Sequence, residues 1–170
     1  MSPSSRSARR AVVLLALASL VAASCAADDG DAISPLDIEL GSADGGTTTL
    51  AAESDGLLVV NLWATWCAPC VAEMPVFDEV ADERAADATV LGINVGDTVE
   101  EATAFATELG VDYAMFTDPD GRLQTALGVN SLPATVFIAP SGEIFDVHQG
   151  AYTHDALDAA IDSALAELLS

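Results

Sequence analysis

The chain has 170 residues, half of them apolar, with a formal net charge of −22 and no lysine. That length allows one domain after a leader, with enough apolar side chains for a core. The charge excludes nucleic acid and anionic lipid headgroups as partners, because 27 acidic side chains face only 5 arginines.

All the acids follow residue 27, and Arg6, Arg9 and Arg10 precede it. Without its first 25 residues the chain keeps 2 basic and 27 acidic side chains, a charge of −25. This reads as an adaptation to solubility or habitat rather than as an acidic docking face. Residues 1 to 25 have the form of a secretory leader. The three arginines make its positive start, and Ala11 to Ala23 its apolar stretch, which is short for a membrane span. Arg9-Arg10 hints at a twin-arginine signal, but the residues after it fit poorly. The leader ends Val21-Ala22-Ala23-Ser24-Cys25, which resembles a bacterial lipobox with Ala22 where that motif has leucine. The resemblance implies cleavage before Cys25 and a lipid attached to it. Plain cleavage near Ala23 or Ala26 and an uncleaved anchor are the alternatives. A third cysteine left over from a C-x-x-C pair favours the lipid. Each alternative puts the domain outside the cytoplasm, where disulfides persist.

Residues 26 to 35 are acidic and lack apolar periodicity, so they read as a tether to a domain spanning 36–170. Leu36 to Leu40 alternates apolar and acidic residues, as a half-buried strand does. Ala43 to Gly46 is a turn signal, and Thr47 to Leu50 a second short strand. Leu57 to Leu62 is an apolar run, a buried strand. Two tryptophans and the pair Cys67-Ala68-Pro69-Cys70 follow, and Val71 to Ala86 has a helical pattern. Cys67 therefore sits at a helix N-terminus, where free N–H groups and the helix dipole stabilise a thiolate. Cys70 lies about one turn on, within reach of a mixed disulfide on Cys67.

Thr89 to Val95 is the next buried strand. Thr98 caps a helix to Leu109, with Glu100 and Glu101 in its first turn and Gly110 as the stop. A short strand lies within Val111 to Thr117. Asp118 to Gly121 is a turn, and Arg122 to Leu127 a short helix. Two strands then flank Pro140-Ser141-Gly142-Glu143 as a hairpin ending near His148. A last amphipathic helix starts at Thr153 or His154 and runs to Leu169. Strands alternating with helices, plus a terminal hairpin, predict an α/β domain with a central mixed sheet and helices on both faces.

The cysteine pair admits three readings. A zinc site needs two more ligands, and no second C-x-x-C exists; His148 and His154 lie far along the chain. A structural disulfide closing so short a loop constrains the unfolded chain little. A redox-active dithiol fits a pair that follows a strand and opens a helix.

The string Trp66-Cys67-Ala68-Pro69-Cys70 resembles the thioredoxin superfamily. With Val60 to Thr65 before it and Glu73-Met74-Pro75 after it, the string is similar to the TlpA/ResA/DsbE branch of extracytoplasmic thiol-disulfide oxidoreductases. The resemblance covers residues 36 to 168. It implies a thioredoxin-like fold extended by an N-terminal β-hairpin and by a central helix-strand insertion. It implies Cys67 as the exposed nucleophile, Cys70 as the more buried resolving thiol, and no cofactor beyond their disulfide. It further implies a cis Pro133 facing the pair, with the backbone at Leu132 open to an extended substrate, and Trp66 as a partner contact. Glu73, on the Cys70 face of the helix, becomes a partly buried carboxylate that tunes Cys70 and shuttles its proton, rather than a solvated one. Plain thioredoxin has an aspartate six places before the first cysteine; this chain has Asn61 there.

The function expected is a membrane-tethered reductant of protein disulfides. Its partners would be apocytochrome c cysteines and a membrane electron donor. A disulfide-forming oxidase is the alternative. A peroxiredoxin-like peroxidase needs a threonine three places before the cysteine, and Thr65 is two places before Cys67. A copper-binding lipoprotein module of this superfamily needs C-x-x-x-C, one residue longer than the spacing here.

Overall fold

The computed structural model describes residues 34–170. A 3-10 turn over Pro35–Asp37 leads into strand β1, Leu40–Ser42, and strand β2, Thr47–Thr48. Helix α1 is Leu50–Glu53, and the central strand β3 is Leu57–Trp63, buried at all seven positions. Helix α2, Ala68–Glu83, strand β4, Ala88–Val95, and helix α3, Val99–Leu109, follow. Strand β5 is Met115–Asp118, helix α4 Arg122–Ala126, strand β6 Ala134–Ile138 and strand β7 Ile144–Gln149. Helix α5, His154–Leu168, closes the domain.

The strands form one seven-stranded mixed sheet in the order β2-β1-β5-β4-β3-β6-β7. Strands β3, β4 and β5 are parallel neighbours, and every other pairing is antiparallel. Period-2 alternation divides the apolar side chains of β3 between two cores. Leu57, Val59 and Trp63 pack with α2, α3 and α5, whereas Leu58, Val60 and Leu62 pack with α1 and α4. The sheet is thus covered on both faces, as the alternation of elements predicts, and the hairpin β1–β2 extends its edge through β5.

Three local expectations are corrected. Leu36 to Leu40 is not a strand. Ser34 caps a turn in which Pro35 fixes φ, and only Leu40 joins the ladder. The alternation is real, since Ile38 and Leu40 are buried, but burial alone does not require strand pairing. Leu50 leaves the second strand and opens α1, where it is fully buried. Helix α2 starts three residues before Val71 and ends three before Ala86. Cys67 serves as its N-cap, and Pro69 supplies a pre-set φ in its first turn.

Candidate active site

The C-terminal ends of β3 and β4 and the start of β6 meet at one end of the sheet. Trp63 pairs with Asn94, and Leu62 with Ala134. The loop from Ala64 to Cys67, the loop from Gly96 to Thr98 and the Leu132–Pro133 segment therefore share that end.

Cys67 and Cys70 are joined as a disulfide. The Cys70 N–H donates to Cys67 Sγ at 3.3 Å, one of the free amides that open α2. Cys67 is 5% exposed and Cys70 is 0% exposed, the order the resemblance implies, although Cys67 is more enclosed than a freely exposed thiol. Trp66, beside it, is 71% exposed, while Trp63 lies in the core. The Leu132–Pro133 peptide bond is cis. The Pro133 carbonyl accepts from Gly150 N–H at 2.9 Å, and Ser131 hydrogen-bonds Gln149, so the end of β7 holds this loop. Leu132 is half-buried against the core that contains both cysteines.

Glu73 is 2% exposed. Its Oε1 accepts from Asn61 Nδ2 at 2.9 Å, and its Oε2 accepts from Tyr152 N–H at 2.8 Å. Asn61 Oδ1 accepts in turn from the Tyr113 hydroxyl at 3.2 Å. Burial raises the Glu73 pKa above the usual carboxylate range, and the two donated hydrogen bonds only partly oppose it. The structure thus joins Asn61 and Glu73, the two positions at which the sequence departs from plain thioredoxin, by a direct hydrogen bond.

Two partners of the site were missed by sequence reading. Asp97 accepts from the Thr65 N–H at 2.9 Å, from the Thr65 hydroxyl at 3.0 Å and from Asn94 Nδ2 at 2.8 Å. It braces the loop that delivers Trp66 and Cys67. Burial pushes the Asp97 carboxyl up, but these donors outweigh burial and leave it below its ordinary value. Tyr113 is the second, buried at the far end of the Asn61 link. The available signals were Gly92 inside a buried strand, which marks a close approach, and the turn signal Gly96-Asp97.

His148 packs against Tyr152 with tilted rings whose centroids are 4.1 Å apart, and His154 Nε2 lies 2.9 Å from Glu83 Oε2. Glu79, Glu83 and His154 bring three ligating atoms within 4.8 Å of one another. Both glutamates are exposed, and the group reads as an ion pair between α2 and α5. Cys25 and the leader lie outside the described residues. Among the described residues, no helix is long and apolar enough to cross a membrane.

Residues 32–147 match the model of the AhpC/TSA family. Thiol-disulfide oxidoreductase ResA of Oceanobacillus iheyensis is 31% identical over 102 residues, which are 59% of this chain and 53% of that protein. The chain spans about half to three fifths of the length of this and the other first curated relatives. Among solved structures, dsbF of Mycobacterium tuberculosis superposes with a TM-score of 0.69 at 26% identity, covering 77% of this chain and 97% of that one. The exposed lipoprotein thioredoxin Etrx1 of Streptococcus pneumoniae gives 0.63 at 30% identity, covering 74% and 98%. The thioredoxin-like fold implied by the sequence is thereby shown.

Proposed function

The chain belongs to the AhpC/TSA family, and from that premise we propose that it is a thiol-disulfide oxidoreductase acting on proteins outside the cytoplasm. The observation that carries this reading is the cysteine pair itself. The Cys70 N–H lies on Cys67 Sγ at the start of α2, with buried Glu73 one turn beyond Cys70.

In the reducing direction the Cys67 thiolate attacks one sulfur of a substrate disulfide. That S–S bond breaks, a Cys67–substrate S–S bond forms, and the other substrate sulfur leaves as a thiolate that takes a proton from water. Ionised Glu73 then accepts the Cys70 proton, and Cys70 attacks Cys67 Sγ. The mixed disulfide breaks, the Cys67–Cys70 disulfide forms, and the second substrate sulfur leaves with its electron pair. One electron pair has passed from the dithiol to the substrate, and Glu73 returns its proton to the solvent. The same steps in reverse oxidise a client.

We take the reducing direction, with apocytochrome c cysteines as clients and a membrane protein as electron donor, as the resemblance implies. The names of ResA and of the other relatives called thiol:disulfide interchange proteins support exchange chemistry. The description of the pneumococcal relative as an exposed lipoprotein supports a lipid anchor at Cys25. Trp66, Leu132 and Pro133 line the same end of the sheet as Cys67 and form the proposed substrate contact. A peroxidase reading has less support, because the Thr65 hydroxyl is directed to Asp97.

The test has two parts. Cys67→Ser should abolish reduction of insulin disulfides, and Cys70→Ser should accumulate a mixed disulfide on Cys67. Normal turnover by the Cys70 variant would exclude these roles. The reduction potential of the pair, equilibrated against glutathione, decides direction. About −250 mV or below supports the reductant, and about −150 mV or above the oxidase.

A further inference from the structure

Gly92 lies in the middle of β4, paired in register with Asn61 of β3. A Cβ at Gly92 would come within 3.0 Å of Tyr113 Cε2 and 3.2 Å of Tyr113 Cζ. Because glycine has none, the Tyr113 ring lies directly against β4 and its hydroxyl reaches the neighbouring strand. Helix α2 holds both the ring and its backbone. Phe77 of α2 stacks on the ring with centroids 6.3 Å apart, and Asp78 Oδ1 accepts the Tyr113 N–H at 3.0 Å. Tyr113 is 7% exposed, and Asn61 is fully buried.

An asparagine amide has a donor end and an acceptor end, and burial forces each to find a partner. Ionised Glu73 has only lone pairs to offer, so it needs the Nδ2 end. The Tyr113 hydroxyl carries a proton that needs an acceptor, and Asn61 Oδ1 is its partner. Burial, with Glu73 and Asp78 nearby, drives the Tyr113 phenol well above its ordinary value, so this donor stays protonated. One orientation of Asn61 satisfies both neighbours.

We propose that Tyr113 is a positioning residue: through Asn61 it keeps an N–H directed at Glu73. This rests on the reading of Glu73 as the proton carrier for Cys70. Without the hydroxyl, Asn61 is free to turn its oxygen toward Glu73, where it accepts from the protonated carboxyl. The protonated form gains a partner and the ionised form loses one. Glu73 then holds its proton to higher pH and accepts the Cys70 proton less readily. The other titratable groups facing the carboxyl are the phenols of Tyr113 and Tyr152. Both are raised by burial, Tyr152 with Asp146 and Glu73 adding to it. Cys70, on the same helix, does not titrate while it is in the disulfide.

The test is Tyr113→Phe in the full chain, which keeps the ring against Gly92 and Phe77. In the oxidised protein the Glu73 carboxyl is followed by carbon NMR across pH, with Glu73→Gln to assign it. An upward shift of its midpoint is expected. In the reduced protein, exchange at neutral pH should slow by about tenfold, the worth of one hydrogen bond to a charged group. In an Asn61→Ala background the same substitution should leave the Glu73 midpoint where it is. An unmoved midpoint in Tyr113→Phe overturns the proposal, and so does an equal shift in both backgrounds. A shifted midpoint with an unshifted exchange rate supports the positioning role but refutes Glu73 as proton carrier.

Discussion

Glu73 is nearly shut off from water, and a carboxylate in that position loads the folded state. Its raised pKa fixes the sign of the effect. Below about pH 4 the carboxyl is protonated folded or unfolded, and it costs nothing. As pH rises, the unfolded chain releases the proton first and the folded chain holds it, so stability falls from the unfolded pKa up to the folded one. Asp97 behaves oppositely. Its carboxyl is held below the ordinary value, so its stabilisation is present above about pH 4 and fades as acid protonates it. Glu73→Gln removes only the first dependence. Its melting temperature should therefore rise relative to the parent's as pH climbs above about 4, where the unfolded carboxyl ionises. Whatever the substitution costs in hydrogen-bond geometry enters as a constant offset. Parallel pH profiles would show that burial does not load the carboxyl.

At the scale of elements, α2 is held at both ends by different means. Its N-terminus is fixed by the Cys67 cap and the disulfide. At its C-cap, Arg84 reaches across to α5, with Nη1 2.5 Å from Asp158 Oδ1 and Nη2 2.6 Å from Asp162 Oδ1. Its Nε lies 3.1 Å from Asp87 Oδ2, close enough for attraction but not aligned as a hydrogen bond. The Arg84 side chain is 14% exposed, so it also contributes packing. Because all three acids are substantially exposed, the pairs are partly screened. Arg84→Ala should cost about 1–2 kcal/mol, which lowers the melting temperature by roughly 3–8 °C. The loss should shrink in high salt. A melting curve identical to the parent's at low salt would mean that the clamp contributes nothing. Elements with local signals were legible in the sequence. Helix α3 has its capping box at Thr98 and Glu101 and a left-handed Gly110, all within one short stretch. The clamp was not legible, since Arg84 and its partners lie 74 and 78 residues apart and no local pattern links them.

The same separation limits what could be read of the site in the whole molecule. The cysteine pair and Glu73 share a helix, so spacing alone gathers them. The Asn61–Tyr113 and Thr65–Asp97 contacts span 52 and 32 residues and exist only because the parallel pairing of β3 with β4 sets Asn61 beside Gly92, against the Tyr113 ring, and brings the C-terminal ends of the two strands together. The fold class was legible because its alternation of strands and helices is a property of the entire chain. Charge is the other property at that scale. Arg84 is committed to the end of α2 opposite Cys67, and the free amides at the helix start are the donors placed to stabilise a Cys67 thiolate. The surrounding field is strongly negative, and it acts on any approaching substrate within about 10 Å at 0.1 M salt. Capture of a lysine-rich disulfide peptide by the Cys70→Ser variant should therefore slow as salt rises from about 0.05 to 0.5 M, by roughly tenfold. An aspartate-rich peptide of the same length should speed up over that range. Measured as second-order rates of mixed-disulfide formation, equal salt slopes for the two peptides would mean that the field does not reach the dithiol. Opposite slopes would mean that the acidic surface selects cationic clients before any side-chain contact is made.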